Sequence, residues 1–419
     1  MTQVVVTGIG AVTPIGNTFG DSWESVKGGR SGIGPVTRFD ISDLPWKVAG
    51  ELRDFDDTAF LDSRERRRLD LFVRYAVAAS AMAADDAGLL IRPYGSAGPV
   101  CDISDEYLSS GGVLIGSSRG GIVMLEEASA VAGHGRRGRP SPFLMSSTTI
   151  SMASSLAAGK LGMRGHCLGI SNACASGAAA IGEAYRLIRS GYEGPLLAGG
   201  SEAPLCRVCA EGYGASGALS RIADSTASRP FEKSRDGFVL AEGACVMVLE
   251  DRGHALRRGA RIWGEIIGYA NTVDASHMTR PCLDGAVRAM KSALRDAGAT
   301  PGDIGYINAH GTSTPTGDRI ESAAVERLFG NVSPALPVSA VKSMTGHMLA
   351  ASGAFEAACT LMSLREKIIP PTINLHKKDD DCGLNVVTKK TEADIDTALS
   401  NSFGFGGVHA VLVMKGPSD

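Results

Sequence analysis

The chain has 419 residues, a formal charge of −3 and 21% charged residues, so it lacks the basic excess of a general nucleic-acid or membrane-surface protein. Its 44% hydrophobic content supplies a sizeable core, spread over two or three structural units or one large fused one. No apolar run reaches the ~18–20 residues of a membrane-spanning helix, and residues 1–6 enter a strand-like run without a basic leader, which does not read as a signal peptide. Taken in chain order, short apolar runs predict strands at residues 4–9, 113–116, 167–171, 196–198, 245–250, 264–269, 304–308, 337–341 and 410–414. Helical patterning occupies residues 69–87, 178–189 and 286–297, and residues 91–111, rich in Gly, Pro, Ser and Asp, read as a surface excursion. Alternation of this kind favours an α/β protein whose strands are buried and largely apolar.

The two halves look alike. Ser176-Gly177-Ala178 opens one helix and Ser352-Gly353-Ala354 lies near the start of another, each after a strand and a loop of small residues. Each half closes with a glycine-led strand, at Gly243 and at Gly407. This reads as a duplication joined near residues 251–265, with an N-terminal half over 1–257 and a C-terminal half over 258–419. The nine cysteines are odd in number and scattered, which argues against a disulfide framework and for a reducing, cytoplasmic compartment. Cys206-Arg-Val-Cys209 is half a zinc site with no second pair to complete it, so no metal is expected. Gly8-Ile9-Gly10 follows a strand, but Thr13 stands at the third position of a dinucleotide fingerprint, so no nucleotide cofactor is expected either.

Four segments carry chemistry. Ile170-Ser-Asn-Ala-Cys174-Ala-Ser-Gly177 joins an apolar strand to an Ala-rich helix. Small neighbours leave the sulfur reachable, and the positive end of the helix dipole is expected to favour the thiolate, the nucleophilic form. Tyr306-Ile-Asn-Ala-His310-Gly-Thr312-Ser-Thr314 brings a histidine into a turn rich in hydroxyls, with two alternating threonines able to face one side and hold a polar arm. Val341-Lys342-Ser-Met-Thr-Gly-His347 ends a strand in a loop bearing a second histidine, and Glu356 in the following helix is a charge partner for Lys342. Asn401-Ser-Phe403-Gly-Phe405-Gly-Gly407 is a pliable glycine loop with two apolar plugs.

In this order and spacing, the four segments resemble the β-ketoacyl-[acyl-carrier-protein] synthases of the thiolase superfamily. The resemblance extends through residues 4–16, 228–240, 274–279 and 370–374 and covers nearly the whole chain. It implies a duplicated αβαβα five-layer fold and a decarboxylative Claisen condensation that lengthens an acyl chain by two carbons, as in fatty-acid elongation. Cys174 would hold the acyl group. His310 and His347 would stabilise the enolate left when malonyl loses carbon dioxide. The backbone N–H groups of Cys174 and Phe405 would form the oxyanion hole, with Phe405 also a gate. Lys342 and Glu356 would support the histidines, while Thr312, Thr314 and Phe403 would contact substrate. The resemblance further implies acyl- and malonyl-loaded acyl carrier protein as partner. The phosphopantetheine arm belongs to that partner, so no resident cofactor is implied. A homodimer is expected, or a heterodimer with a related subunit. The carrier is acidic, and Arg64, Arg67 and Arg68, with Arg66 beside them, are the candidate docking patch.

Two departures bear on the substrate. Arg119 stands where relatives carry an apolar residue at the floor of the acyl tunnel, and Val408-His409 replaces their Thr-Asn pair. Both leave open a ketosynthase of a type II polyketide or other specialised pathway. A chain-length-factor role without catalysis would require loss of the nucleophile, and Cys174 is present. From another reaction class, Gly116-Ser-Ser118-Arg-Gly120 matches the nucleophile elbow of serine hydrolases, which would make Ser118 the nucleophile.

Overall fold

The computed structural model of the chain describes residues 2–90, 105–133 and 140–417, so most of the expected surface excursion, 91–104, lies outside the described residues. One 11-stranded sheet forms the frame. Ten of its strands are β1 (Val4–Val12), β2 (Gly112–Gly116), β3 (Cys167–Ile170), β4 (Leu196–Glu202), β5 (Gly243–Asp251), β6 (Gly264–Val273), β7 (Tyr306–Asn308), β8 (Pro337–Ser339), β9 (Thr397–Gly404) and β10 (Val408–Lys415). The eleventh, Asn385–Val386, is a short parallel addition beyond β8. The helices used below are α1 (Leu71–Asp86), α2 (Ile122–Gly133), α3 (Met152–Leu161), α4 (Ser176–Arg189), α5 (Arg207–Ala215), α6 (Leu283–Ala297), α7 (Pro315–Phe329), α8 (Lys342–Thr345) and α9 (Ala350–Glu366).

The strand order is the duplication made visible. The first half runs β1–β5–β4–β2–β3 and the second β6–β10–β9–β7–β8. In each, two antiparallel pairings are followed by two parallel ones. The halves meet through β1 and β6, antiparallel, with Val4 opposite Ile266 and Val6 opposite Gly264. α1 and α3 cover the outer face of the first half-sheet, α6 and α7 that of the second, and α4 and α9 lie between. The result is the expected five layers. The strands are apolar on both faces because helices cover both, as in β1 and β4, where every residue is buried.

α4 and α9 approach closely because of two glycines. A Cβ on Gly177 would lie 2.3 Å from the Ala350 carbonyl oxygen, and one on Gly353 would lie 3.0 Å from the Ala178 Cβ. The turns feeding these helices also match: Ala173 (φ 47°) precedes Ser176-Gly177, and Leu349 (φ 45°) precedes Ser352-Gly353 at the same spacing. Neither is glycine, so both halves hold a left-handed residue at the same elbow.

All nine predicted strands are present. The tenth, β9, escaped because its core, Leu399-Ser-Asn-Ser402, carries hydroxyl and amide side chains instead of an apolar run, and Asn401 read as the start of a loop. The loop proper is only the turn between Gly404 and Val408, where Gly406 (φ 89°) and Gly407 (φ 68°) take conformations that favour glycine. No described helix is long and apolar enough to cross a membrane.

Candidate active site

Cys174 leaves the end of β3 through the Ala173 elbow, just ahead of α4. It is buried and lines a cavity of about 350 Å³ together with His310, His347, Thr312, Thr314, Phe403 and Phe405. The sequence placed the thiol at a helix N-terminus and expected the dipole to favour thiolate. The structure reverses that balance. Burial pushes the Cys174 thiol up to about 11, against the opposing pull of Lys342, the Phe405 N–H and Arg119. Desolvation of a charged sulfur outweighs these partial compensations, so the resting group is a thiol.

The two histidines stand at 5.4 Å between ring centroids, nearly perpendicular. Lys342, fully buried in α8, fixes the first. Its ammonium has three protons, and three acceptors surround it: Glu356 Oε1, the His310 carbonyl oxygen at 2.7 Å and His310 Nδ1 at 3.3 Å. Nδ1 therefore accepts, and the His310 proton resides on Nε2. Ser352 Oγ accepts the Met348 N–H at 2.9 Å, which frees its own proton for His347 Nδ1 at 3.2 Å. His347 thus carries its proton on Nε2 as well. Burial holds both imidazoles well below their ordinary value of 6.5, with the charge of Lys342 adding to the effect. Two neutral rings, each with an Nε2–H donor, share one cavity with a thiol.

Glu356 is the counter-ion of Lys342, and burial raises its carboxyl to about 7 against the pull of that lysine. Two carboxylates that sequence reasoning missed hold the backbone of the His310 turn. Glu321 accepts the N–H groups of His310 and Gly311, both at 2.8 Å, and the Asn401 amide at 2.9 Å. Asp318 accepts from Ser313 at 3.1 Å and from Phe231 at 2.8 Å. Asp318 and Glu321 lie three residues apart on α7, so they share one face of that helix. That spacing was the available signal, but it is also the spacing of an ordinary solvated acidic face. Thr312 and Thr314 do point to the same side, Oγ1 to Oγ1 at 3.1 Å, across a Ser313 with φ 69° instead of an extended residue.

The cavity wall includes further residues. Tyr213 on α5 and Phe238 meet edge-on at 5.5 Å, and Tyr213 lies 6.3 Å from Phe405. His409 is buried with Nε2 2.7 Å from Asp274 Oδ1, and its ring is edge-on to Phe403 at 4.9 Å. His409 Nδ1 and Asp274 Oδ2 are buried without hydrogen-bond partners among the described residues.

Four features singled out in the sequence stand outside the cavity lining. Arg119 does not line this cavity: it is exposed on the single chain, with its guanidinium 5.6 Å from the centre of the Tyr213 ring, one residue farther out. Its backbone N–H, with that of Ser118, is committed to the buried Glu202. In the patch on the short helix Ser63–Arg68, Arg66 pairs with Asp57 at 2.7 Å and Arg68 lies over Phe143 at 4.2 Å, leaving Arg64 and Arg67 exposed. None of the four lines the cavity, whose described lining holds Arg280 instead. Ser118 Oγ is buried with no hydrogen-bond partner, so no histidine is positioned to activate it. Cys206 and Cys209 pack in an apolar cluster with Cys174, Tyr213 and Phe238.

Comparison with known proteins gives a consistent answer. Residues 1–255 match the family described as beta-ketoacyl synthase, N-terminal domain, and residues 263–376 match its C-terminal domain. A 3-oxoacyl-[acyl-carrier-protein] synthase 2 from Synechocystis sp. is 46% identical over 418 residues, covering 99% of this chain and 98% of that one. The ishigamide ketosynthase/chain length factor superposes with a TM-score of 0.90 at 34% identity, covering 100% of both chains. A type II PKS ketosynthase solved with its acyl-carrier protein superposes with a TM-score of 0.88 at 33% identity, over 99% of this chain and 100% of that one.

Proposed function

Because the chain belongs to the β-ketoacyl synthase family, we propose that it joins thioester-bound acyl groups by decarboxylative Claisen condensation, with fatty-acid elongation as its setting. One observation carries the reading: the thiol of Cys174 and the Nε2–H donors of two neutral histidines open into the same cavity. In the first half-reaction, the sulfur of Cys174 attacks the carbonyl of an acyl thioester on the carrier protein. The thiol proton passes to the departing pantetheine sulfur, and the acyl group stays on Cys174. In the second, malonyl thioester loses carbon dioxide, and the electron pair of the broken bond forms an enolate. His310 and His347 donate to that enolate oxygen, and the loss of one such donor typically costs about 10²–10³ in rate. The enolate carbon attacks the acyl carbonyl, whose oxygen is held by the N–H groups of Cys174 and Phe405. The new carbon–carbon bond forms and the Cys174 sulfur leaves, taking up a proton.

Thr312 and Thr314 suit the amide-rich arm of a carrier protein, and the exposed Arg64 and Arg67 suit its acidic surface. A homodimer, or a heterodimer with a related subunit, fits the edge strand β3, where Leu168 is exposed and the outer side has no strand partner among the described residues. A cytoplasmic setting fits the free thiols of all the described cysteines. No resident cofactor or metal is needed for any step. A specialised acyl pathway is the second reading, and Arg119 is the observation that favours it.

Intact-mass measurement after exposure to acyl-carrier-protein thioesters tests the proposal. An adduct of acyl mass is expected on the wild type and none on Cys174→Ala. An adduct that survives in the variant would move the nucleophile elsewhere.

A further inference from the structure

An apolar cluster packs around Cys174 and contains Leu205, Cys206, Cys209, Tyr213 and Leu219, with Ile122 and Val123 against it; of these, Cys174 and Tyr213 face the cavity. A cation stands at its margin. Arg119 lies in the turn between β2 and α2, and the buried Glu202 anchors that turn by accepting the N–H groups of Ser118 at 2.7 Å and Arg119 at 2.9 Å and the Ser117 hydroxyl at 2.9 Å. The carboxylate is thus occupied by the backbone, and the guanidinium makes no ion pair among the described residues. It lies instead over Tyr213, whose ring lines the cavity that holds Cys174. Its charge reaches the nucleophile, because it counts among the groups that pull the Cys174 thiol down against burial. A guanidinium with its fork of donors unfilled is matched best by a carboxylate, which it binds through two parallel hydrogen bonds.

Resting on the acyl-transfer reading above, we infer that Arg119 is a specificity-determining residue that selects acyl chains bearing a carboxylate at the end remote from the thioester. The chain would run from Cys174 along Tyr213, with its apolar stretch in the cavity against Tyr213 and Phe238 and its terminal carboxylate on Arg119. An uncharged alkyl terminus at the same place would strip water from the guanidinium and return no hydrogen bond.

The test compares rates of Cys174 acylation from two carrier-protein thioesters of equal length, hexanoyl and 5-carboxypentanoyl, by intact mass. The quantity read is the ratio of the two rates within each protein, so that a general loss of activity cancels. The wild type is expected to favour the carboxylated donor by tenfold or more, with the preference shrinking as salt is raised. Arg119→Leu is expected to invert the ratio and Arg119→Lys to keep part of it; if the leucine variant does not fold, the lysine variant and the salt series decide. A wild type that prefers hexanoyl, or a ratio unchanged in Arg119→Leu, overturns the inference while acylation by hexanoyl leaves the acyl-transfer reading intact. If neither donor nor acetyl-carrier protein modifies Cys174, both fall together.

Discussion

At Cys174, proximity to a helix end and to Lys342 competes with removal from water, and removal from water prevails. The free enzyme should therefore be slow to alkylate at neutral pH. Its rate with iodoacetamide should climb steadily through mildly alkaline pH toward an inflection at about 11. An inflection at or below neutrality, measured on a protein whose other cysteines are replaced, would mean that a thiolate is present at rest. The histidines carry the opposite sign. Their working form is neutral, and burial keeps them neutral to well below 6.5, so malonyl decarboxylation should hold its rate as pH falls through 6.5 and decline only beneath it. An acid limb centred on 6.5 would contradict the buried, lysine-flanked rings. Lys342 itself is testable by a pair of changes. Lys342→Met strands Glu356 in the interior, a loss of about 3–5 kcal/mol in denaturant unfolding. Adding Glu356→Gln should restore most of that stability without restoring activity, because no donor then fixes His310 Nδ1.

The most informative element is α7. Its sequence, with Asp318 and Glu321 ahead of Arg327, reads as an amphipathic surface helix, yet its acidic face turns inward to the backbone of the His310 loop. Glu321→Ala should orphan three donors at about 1–3 kcal/mol each, and the thermal midpoint should fall accordingly. A melt unchanged by that substitution would mean that water replaces the carboxylate. Here lies the limit of what was legible. Cys174, His310 and His347 stand in segments whose glycines, small residues and hydroxyls have little reason to occur except around chemistry. The carboxylates beneath them use ordinary helix residues at ordinary helix spacing, and only the tertiary partner gives them away. Arg119 was noticed for its type, but one pattern could not tell a cavity floor from a position one ring farther out. β9 was lost for a related reason: its polar residues face buried partners such as Glu321, so no apolar run announces it.

Across the whole molecule, the repeated order of strands was foreshadowed by two Ser-Gly-Ala helix starts and two glycine-led strands. The dependence of each half on the other was not, because it arises at the contact of α4 with α9. α9 packs on β4 and β5 of the first half as well as on β9 of its own. A fragment ending at residue 257 should therefore fail to give a cooperative melt alone and recover one on co-expression with the remainder. A cooperative transition in the fragment by itself would show that the middle layer is dispensable. Gly177→Ala probes the same contact within the intact chain, where overpacking should cost about 1–3 kcal/mol.

The matched elbows at Ala173 and Leu349 carry a consequence for stoichiometry. Where the first elbow presents Cys174, the second presents Ala350, completely buried and closed over by Gly177 and Gly200. A duplicated framework has thus become two unequal workshops, one equipped for loading and the other for assisting. Each polypeptide should accept a single acyl group however large the excess of donor, and a cysteine written into the second elbow would sit sealed from any carrier that came to load it.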